Sequence, residues 1–116
     1  MTESILTSIK KLLGLSEDDT SFDQDLIIHI NTVFFTLNQL GVGPEEPFRI
    51  EGKSESWDEF VGEGEVEAVK SYIYLKVKML FDPPSNSALL EAMKESAKEY
   101  EWRLNVAVDT EQYLYV

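Results

Sequence analysis

The sequence predicts an all-α domain of four helices, with a long irregular insert between the second and the third. Three observations carry that prediction. Apolar residues recur at steps of three and four in four separate stretches, the spacing of one helix face. The stretches are divided by strong breakers, above all Gly41-Val42-Gly43-Pro44-Glu45-Glu46-Pro47 and Asp82-Pro83-Pro84. The chain has 116 residues and no cysteine, so its core stands without disulfides, which a chain of this length can manage.

The first helix is expected over residues 2–13. Thr2 or Ser4 can cap it, and Ile5, Leu6, Ile9, Leu12 and Leu13 form its apolar face. Lys10 and Lys11 suit its negative end, and Gly14 stops it. The acidic turn Ser16-Glu17-Asp18-Asp19-Thr20 leads into the second helix, making an αα-hairpin.

The second helix spans residues 21–41, capped by Ser21 and closed by Gly41. Leu26, Ile30, Val33, Leu37 and Leu40 form the main stripe, Ile27 and Phe34 widen it, and Ile28 and Phe35 lie off it. Apolar on several sides, it is expected to be the central helix of the bundle.

Residues 48–64 have no helical period. Phe48 and Ile50 flank Arg49 in alternation ahead of the turn-like Glu51-Gly52-Lys53-Ser54, a pattern that allows a short β-hairpin. Trp57-Asp58-Glu59-Phe60 suits one helical turn, and Trp57 and Phe60 are apolar enough to pin the insert to the core. A loop of this length in a small domain is a functional or interface element.

The third helix covers residues 65–81, with Val66, Val69, Ile73, Val77 and Leu80 as its stripe and Tyr72, Leu75 and Met79 beside it. Asp82-Pro83-Pro84 ends it, since proline has no N–H and restricts the residue before it. The fourth starts after Ser85, Asn86 or Ser87 and runs to about residue 105, burying Leu89, Met93, Ala97, Tyr100 and Leu104. This gives a helical domain over residues 1–105 and an interaction tail over 106–116. The tail ends in Tyr113-Leu114-Tyr115-Val116, residues that favour extended structure and need a partner surface.

Charge narrows the function. Asp and Glu number 22 against 10 Lys and Arg, a net −12. Nucleic-acid wrapping by phosphate neutralisation needs clustered cations and is disfavoured. The acidity serves solubility, or a surface that repels or mimics DNA. No apolar run is long enough to span a membrane, and the first residues lack a signal-peptide pattern, which points to a soluble cytoplasmic protein.

Motifs for chemistry are absent from this reading. His29 is the single histidine and is expected to be a partly exposed helical residue. Glu17, Asp18, Asp19, Asp23 and Asp25 lack the alternation and glycine of a calcium loop and complement a helix dipole instead. The pairs Gly41/Gly43 and Gly62/Gly64 lack the Lys-Ser/Thr of a phosphate cradle. No catalytic residue, cofactor or metal is expected. Tyr74 lies off the stripe of its helix, where a partner could reach it.

Gln39-Leu40-Gly41-Val42-Gly43-Pro44, the loop with Trp57-Asp58-Glu59-Phe60, and Val69-Lys70-Ser71-Tyr72-Ile73-Tyr74-Leu75-Lys76 leading to Leu80-Phe81-Asp82-Pro83-Pro84 carry a resemblance. The chain resembles the head–tail connector, or head-completion adaptor, proteins of long-tailed bacteriophages and prophages, often labelled DNA-packaging proteins. The resemblance covers most of the chain, to about Val106. It implies a structural virion protein, free in the host cytoplasm before assembly. About a dozen copies would form a ring beneath the portal, extending the DNA channel and meeting a downstream connector or stopper. DNA would pass without tight binding. The implied contact residues are Phe48, Ile50, Trp57 and Phe60 in the insert and Tyr113, Leu114, Tyr115 and Val116 in the tail. The alternative is an acidic DNA mimic that inhibits a nuclease or DNA-binding protein; a carboxylate-and-metal enzyme ranks last.

Overall fold

The computed structural model describes residues 3–114, without the side chains of Glu63 and of residues 109–114. Four helices follow in order: α1 (Ile5–Leu12), α2 (Asp23–Gln39), α3 (Val66–Phe81) and α4 (Ser87–Leu114), with short 3-10 turns at Trp57–Glu59 and Glu63–Glu65.

Local chemistry sets the boundaries. Thr2 lies outside the described residues, and Ser4 caps α1 by accepting the Thr7 N–H at 3.2 Å. Both α1 and α2 end in the same way. Leu15 N–H reaches Lys10 O and Gly14 N–H reaches Lys11 O; Val42 N–H reaches Leu37 O and Gly41 N–H reaches Asn38 O. This paired pattern needs a left-handed residue, and Gly14 and Gly41 both sit at φ +82°. Ser21 does not cap α2. Phe22 takes that position without a side-chain bond, while the Ser21 N–H is held by Asp19 Oδ1 at 3.0 Å. Asn86 caps α4 through its Oδ1 and the Leu89 N–H, at 3.0 Å.

The packing corrects the expected centre. α3, not α2, lies in the middle, in contact with α1, α2 and α4. Val69, Tyr72, Ile73 and Val77 are fully buried on it. α2 is buried along Leu26, Ile27, Ile30, Val33, Phe34 and Leu37 but leaves Ile28 and Phe35 in solvent, so it is a flank. α4 packs on α3 as well and meets the end of α2, where Asn105 Nδ2 donates to Leu40 O at 3.4 Å. Leu80, expected in the α3 stripe, is exposed near the end of that helix.

Lys10 is no surface cation. It is 3 % exposed, 2.9 Å from Asp23 Oδ1, and donates to Glu17 O at 3.1 Å. One side chain thus ties α1 to the acidic turn and to the first turn of α2.

The insert and the tail both differ from their sequence patterns. No β-strand forms among the described residues; the only β pairing is an isolated antiparallel bridge between Ser4 and Ser56. α4 runs on past residue 105 as helix through Leu114, so the tail is not extended over that span. Val108 packs on the core beyond the expected end, and adding residues to a formed helix is cheap. The buried face of α4 is also one residue off at its start, where Leu90 is half-buried and Leu89 exposed.

Candidate partner-binding surfaces

The insert is held by three kinds of bond. Asn31 on α2 faces the Ile50 backbone in a reciprocal pair: Ile50 N–H donates to Asn31 Oδ1 at 2.7 Å, and Asn31 Nδ2 donates to Ile50 O at 2.9 Å. An amide side chain here does the work of a neighbouring strand. At the other end, Ile5 N–H donates to Glu55 O at 3.0 Å, and buried Trp57 Nε1 donates to Ser8 Oγ at 2.9 Å. Ser8 Oγ–H in turn donates to Ser4 O at 2.7 Å, so the indole and hydroxyl are both satisfied. Between these points, Phe48 and Phe60 pack tilted or edge-on against Phe34, with centroids 5.1 and 4.6 Å away. The Ser56 N–H donates to the Glu59 carboxylate at 2.6 Å and fixes the turn that carries Trp57.

The glycines shape the exit from α2. Gly43 sits at φ +90°, and an added Cβ would lie 2.4 Å from the Phe60 ring. Only a residue without a side chain lets the backbone pass there. Beyond it opens a cleft of about 540 Å³, with Gly41, Gly43, Gly62 and Gly64 on one side and Tyr100, Arg103, Leu104 and Val108 of α4 on the other. Glu65 and Arg103 are its charged lining residues, which is not a convergent set of acids and bases. Among the described residues, no group of three His, Asp or Glu could hold a metal ion, and no helix is long and apolar enough to cross a membrane.

α3 and α4 are joined by Tyr72, whose buried hydroxyl donates to Glu101 Oε2 at 2.7 Å. Burial first, and the Glu101 hydrogen bond and charge next, push this phenol well above its ordinary range. It stays a neutral donor throughout the physiological range.

The partner-contact residues chosen from sequence separate in space. Ile50, Trp57 and Phe60 are buried and hold the insert in place. Phe48 and Tyr74 are half-buried against the core, each keeping some surface. The backbone of Tyr113 and Leu114 closes α4, whereas their side chains, and all of Tyr115 and Val116, lie outside the described residues. His29 is half-buried, as its place beside the α2 stripe suggests.

The most exposed large apolar residues are elsewhere: Trp102 at 67 %, Ile28 at 61 % and Phe35 at 56 %, with Leu89 and Leu80 following. The sequence signal was present for Ile28 and Phe35, which fall outside the stripe of α2. α4 presents a row of alternating charge in which Glu91 pairs with Lys94 at 3.5 Å, Glu95 with Lys98 at 3.7 Å and Glu99 with Arg103 at 2.6 Å.

The described residues thus form a helical bundle with a docked insert and several large apolar side chains in solvent. The phage connector protein family matches residues 5–111, nearly the whole chain. The chain belongs to the phage connector protein family. Phage connectors are structural components of the virion at the junction of head and tail, and the all-α fold fits that membership. Comparison with curated proteins and with solved structures returned no match.

Proposed function

We propose that this connector is the subunit of a ring that docks beneath the portal, extends the DNA channel and supports head completion after packaging. The observation that carries the reading is the family match across residues 5–111, reaching from α1 into the last turns of α4. The net charge of −12 supports it physically. A ring of acidic walls repels the DNA backbone, so the duplex slides instead of sticking.

In this reading the tail over 106–116 reaches the portal through Tyr113, Leu114, Tyr115 and Val116. Phe48 and Tyr74 offer their remaining surface to neighbours or to a downstream stopper. Ile50, Trp57 and Phe60 contribute by keeping the insert in its docked shape. The protein acts without an enzymatic step. Its other location is the host cytoplasm before assembly.

The DNA-mimic alternative needs carboxylates in an unbroken row at phosphate-like spacing. The alternating ion pairs along α4 weigh against it. The direct test is co-sedimentation with purified portal, with and without the last four residues. Binding that is lost on deleting them is expected. Failure to bind portal, or tight binding of duplex DNA at moderate salt, would overturn the proposal.

A further inference from the structure

In a chain with 22 Asp and Glu against 10 Lys and Arg, a place where cations alone carry the charge is unusual. One such place lies where α2, α3 and α4 meet. A depression of about 320 Å³ is lined by Thr32, Val33 and Thr36 of α2, Lys76, Met79 and Leu80 of α3, and Lys94 of α4. No carboxylate lines it. The α2 side has none to supply, because residues 26–44 contain no Asp, Glu, Lys or Arg.

The two lysines keep donors to offer. Lys76 Nζ is 3.9 Å from Glu101 Oε2, an oxygen that already accepts the Tyr72 hydroxyl at 2.7 Å. Lys94 Nζ is 3.5 Å from Glu91 Oε1. An ammonium group has three N–H donors, and partly exposed pairs this long hold weakly. The apolar share comes from Val33, which is buried, Met79, which is half-buried, and Leu80, which is half in solvent. Apolar surface continues along α2, since Ile28 and Phe35 stand four residues before and three after Thr32 and are both exposed.

We infer that this depression seats a short segment of another protein that carries a carboxylate beside an aliphatic side chain. Charge complementarity selects that occupant. The carboxylate accepts from Lys76 and Lys94, and the aliphatic group covers Met79 and Leu80. The net charge of −12 sharpens the choice, because an acidic segment is repelled over most of the molecule and attracted here, which fixes where it lands. A nucleic-acid strand fits poorly. Two lysines do not make the row of cations that a phosphate backbone needs, and Met79 and Leu80 offer a sugar nothing to bond. The inference names a partner-binding site on the folded subunit and holds whether or not the subunit forms a ring.

The test is selection from a library of random peptides displayed at physiological salt, using the full chain as bait. Enriched sequences should place Asp or Glu within one or two positions of Leu, Ile or Met. The most enriched peptide, made synthetically, should shift the amide resonances of Thr32, Thr36, Lys76 and Lys94 in the labelled protein. The double variant Lys76→Gln with Lys94→Gln should bind that peptide at least about tenfold more weakly. Leu80→Ser, at an exposed position, should weaken it as well, whereas Lys98→Gln, which removes a cation from α4 outside the depression, should not. Circular dichroism checks that each variant keeps its helices, and the exposure of Leu80 and Lys94 makes their single variants safe for the fold. No enrichment, enrichment of basic or purely apolar sequences, resonance shifts at other residues, or equal binding by the double variant would each overturn the inference. So would peptide affinity that depends on the carboxylate alone and survives replacing the aliphatic residue by Ser, since that would mark a site for any anion.

Discussion

Replacing Asn31 with Ala should release the insert, because one side chain carries two bonds to a backbone that has no other visible means of satisfaction. Ile50 is fully buried, and its N–H and C=O meet Asn31 at 2.7 and 2.9 Å. Truncation leaves one donor and one acceptor unpaired unless water enters. At about 1–3 kcal/mol for each stranded group, the cost is about 2–6 kcal/mol. That is a large share of the roughly 5–15 kcal/mol by which domains of this kind are stable. Urea unfolding would read the loss, and hydrogen exchange at the Ile50 amide would locate it. Asn31→Asp sharpens the test. The carboxylate still accepts from Ile50 N–H but turns an acceptor toward Ile50 O, so at neutral pH it should be at least as damaging. Once protonated it regains a donor, so its deficit should narrow as pH falls through the carboxylate range. A cost below about 0.5 kcal/mol for Asn31→Ala, the range of ordinary surface changes, with unchanged exchange at Ile50, would refute the clamp.

Three other outcomes follow from single contacts. Gly43→Ala places a Cβ on the Phe60 ring at φ +90° and should lower the unfolding free energy read by urea by about 1–3 kcal/mol, the usual cost of strain and overpacking. Gly62→Ala, with open space around it, should be within about 0.5 kcal/mol of the parent. Lys10→Ala strands Asp23 beside a buried gap; because Asp23 keeps partial exposure, the loss should be about 1–3 kcal/mol, below that of a fully buried pair. Asp23→Asn in the same background should recover part of it. Tyr72 binds its proton more tightly folded than unfolded, so its contribution is fully present below the ordinary phenol range near 10 and fades as pH rises beyond it. Alkaline titration of stability by circular dichroism should show this decline, and Tyr72→Phe should flatten it.

The helices were legible because apolar spacing and breakers are local signals. Gly14, Gly41 and Asp82-Pro83-Pro84 stop their helices where expected. What was not legible depends on partners distant in sequence. Asn31 reads as an ordinary polar helix residue until Ile50 is brought opposite it, and that bond removes the reason for a hairpin, since the side chain replaces a strand. Lys10 reads as a helix-end cation until α2 delivers Asp23 to it. The four-residue stretch at the tail has strong β character taken alone, yet the helix before it is anchored by Leu104 and Val108 and continues through Leu114. The register of α4 slipped because adjacent Leu89 and Leu90 satisfy the same stripe, and only the position of α3 chooses Leu90. Of the partner-contact residues, the aromatics of the insert were correctly seen as pins. The exposed Trp102 was harder to find, since it lies among charges that look like any wet helix face.

Salt dependence distinguishes association through neutral faces from association through ion pairs. Two copies of −12 with centres about 30 Å apart repel by about 20 kcal/mol in unscreened water. At physiological ionic strength a Debye length of about 8 Å reduces that to about 0.5 kcal/mol. Repulsion therefore governs dilute buffer and nearly vanishes at physiological strength, leaving short-range contact to decide. An interface of this kind should strengthen as salt rises from 10 mM-type conditions, about a 30 Å Debye length, to physiological strength, and then level off. An interface built on opposite charges would weaken over the same range. Sedimentation equilibrium across that series reads the sign directly. Self-association that falls with added salt would mean that copies meet through charge pairs.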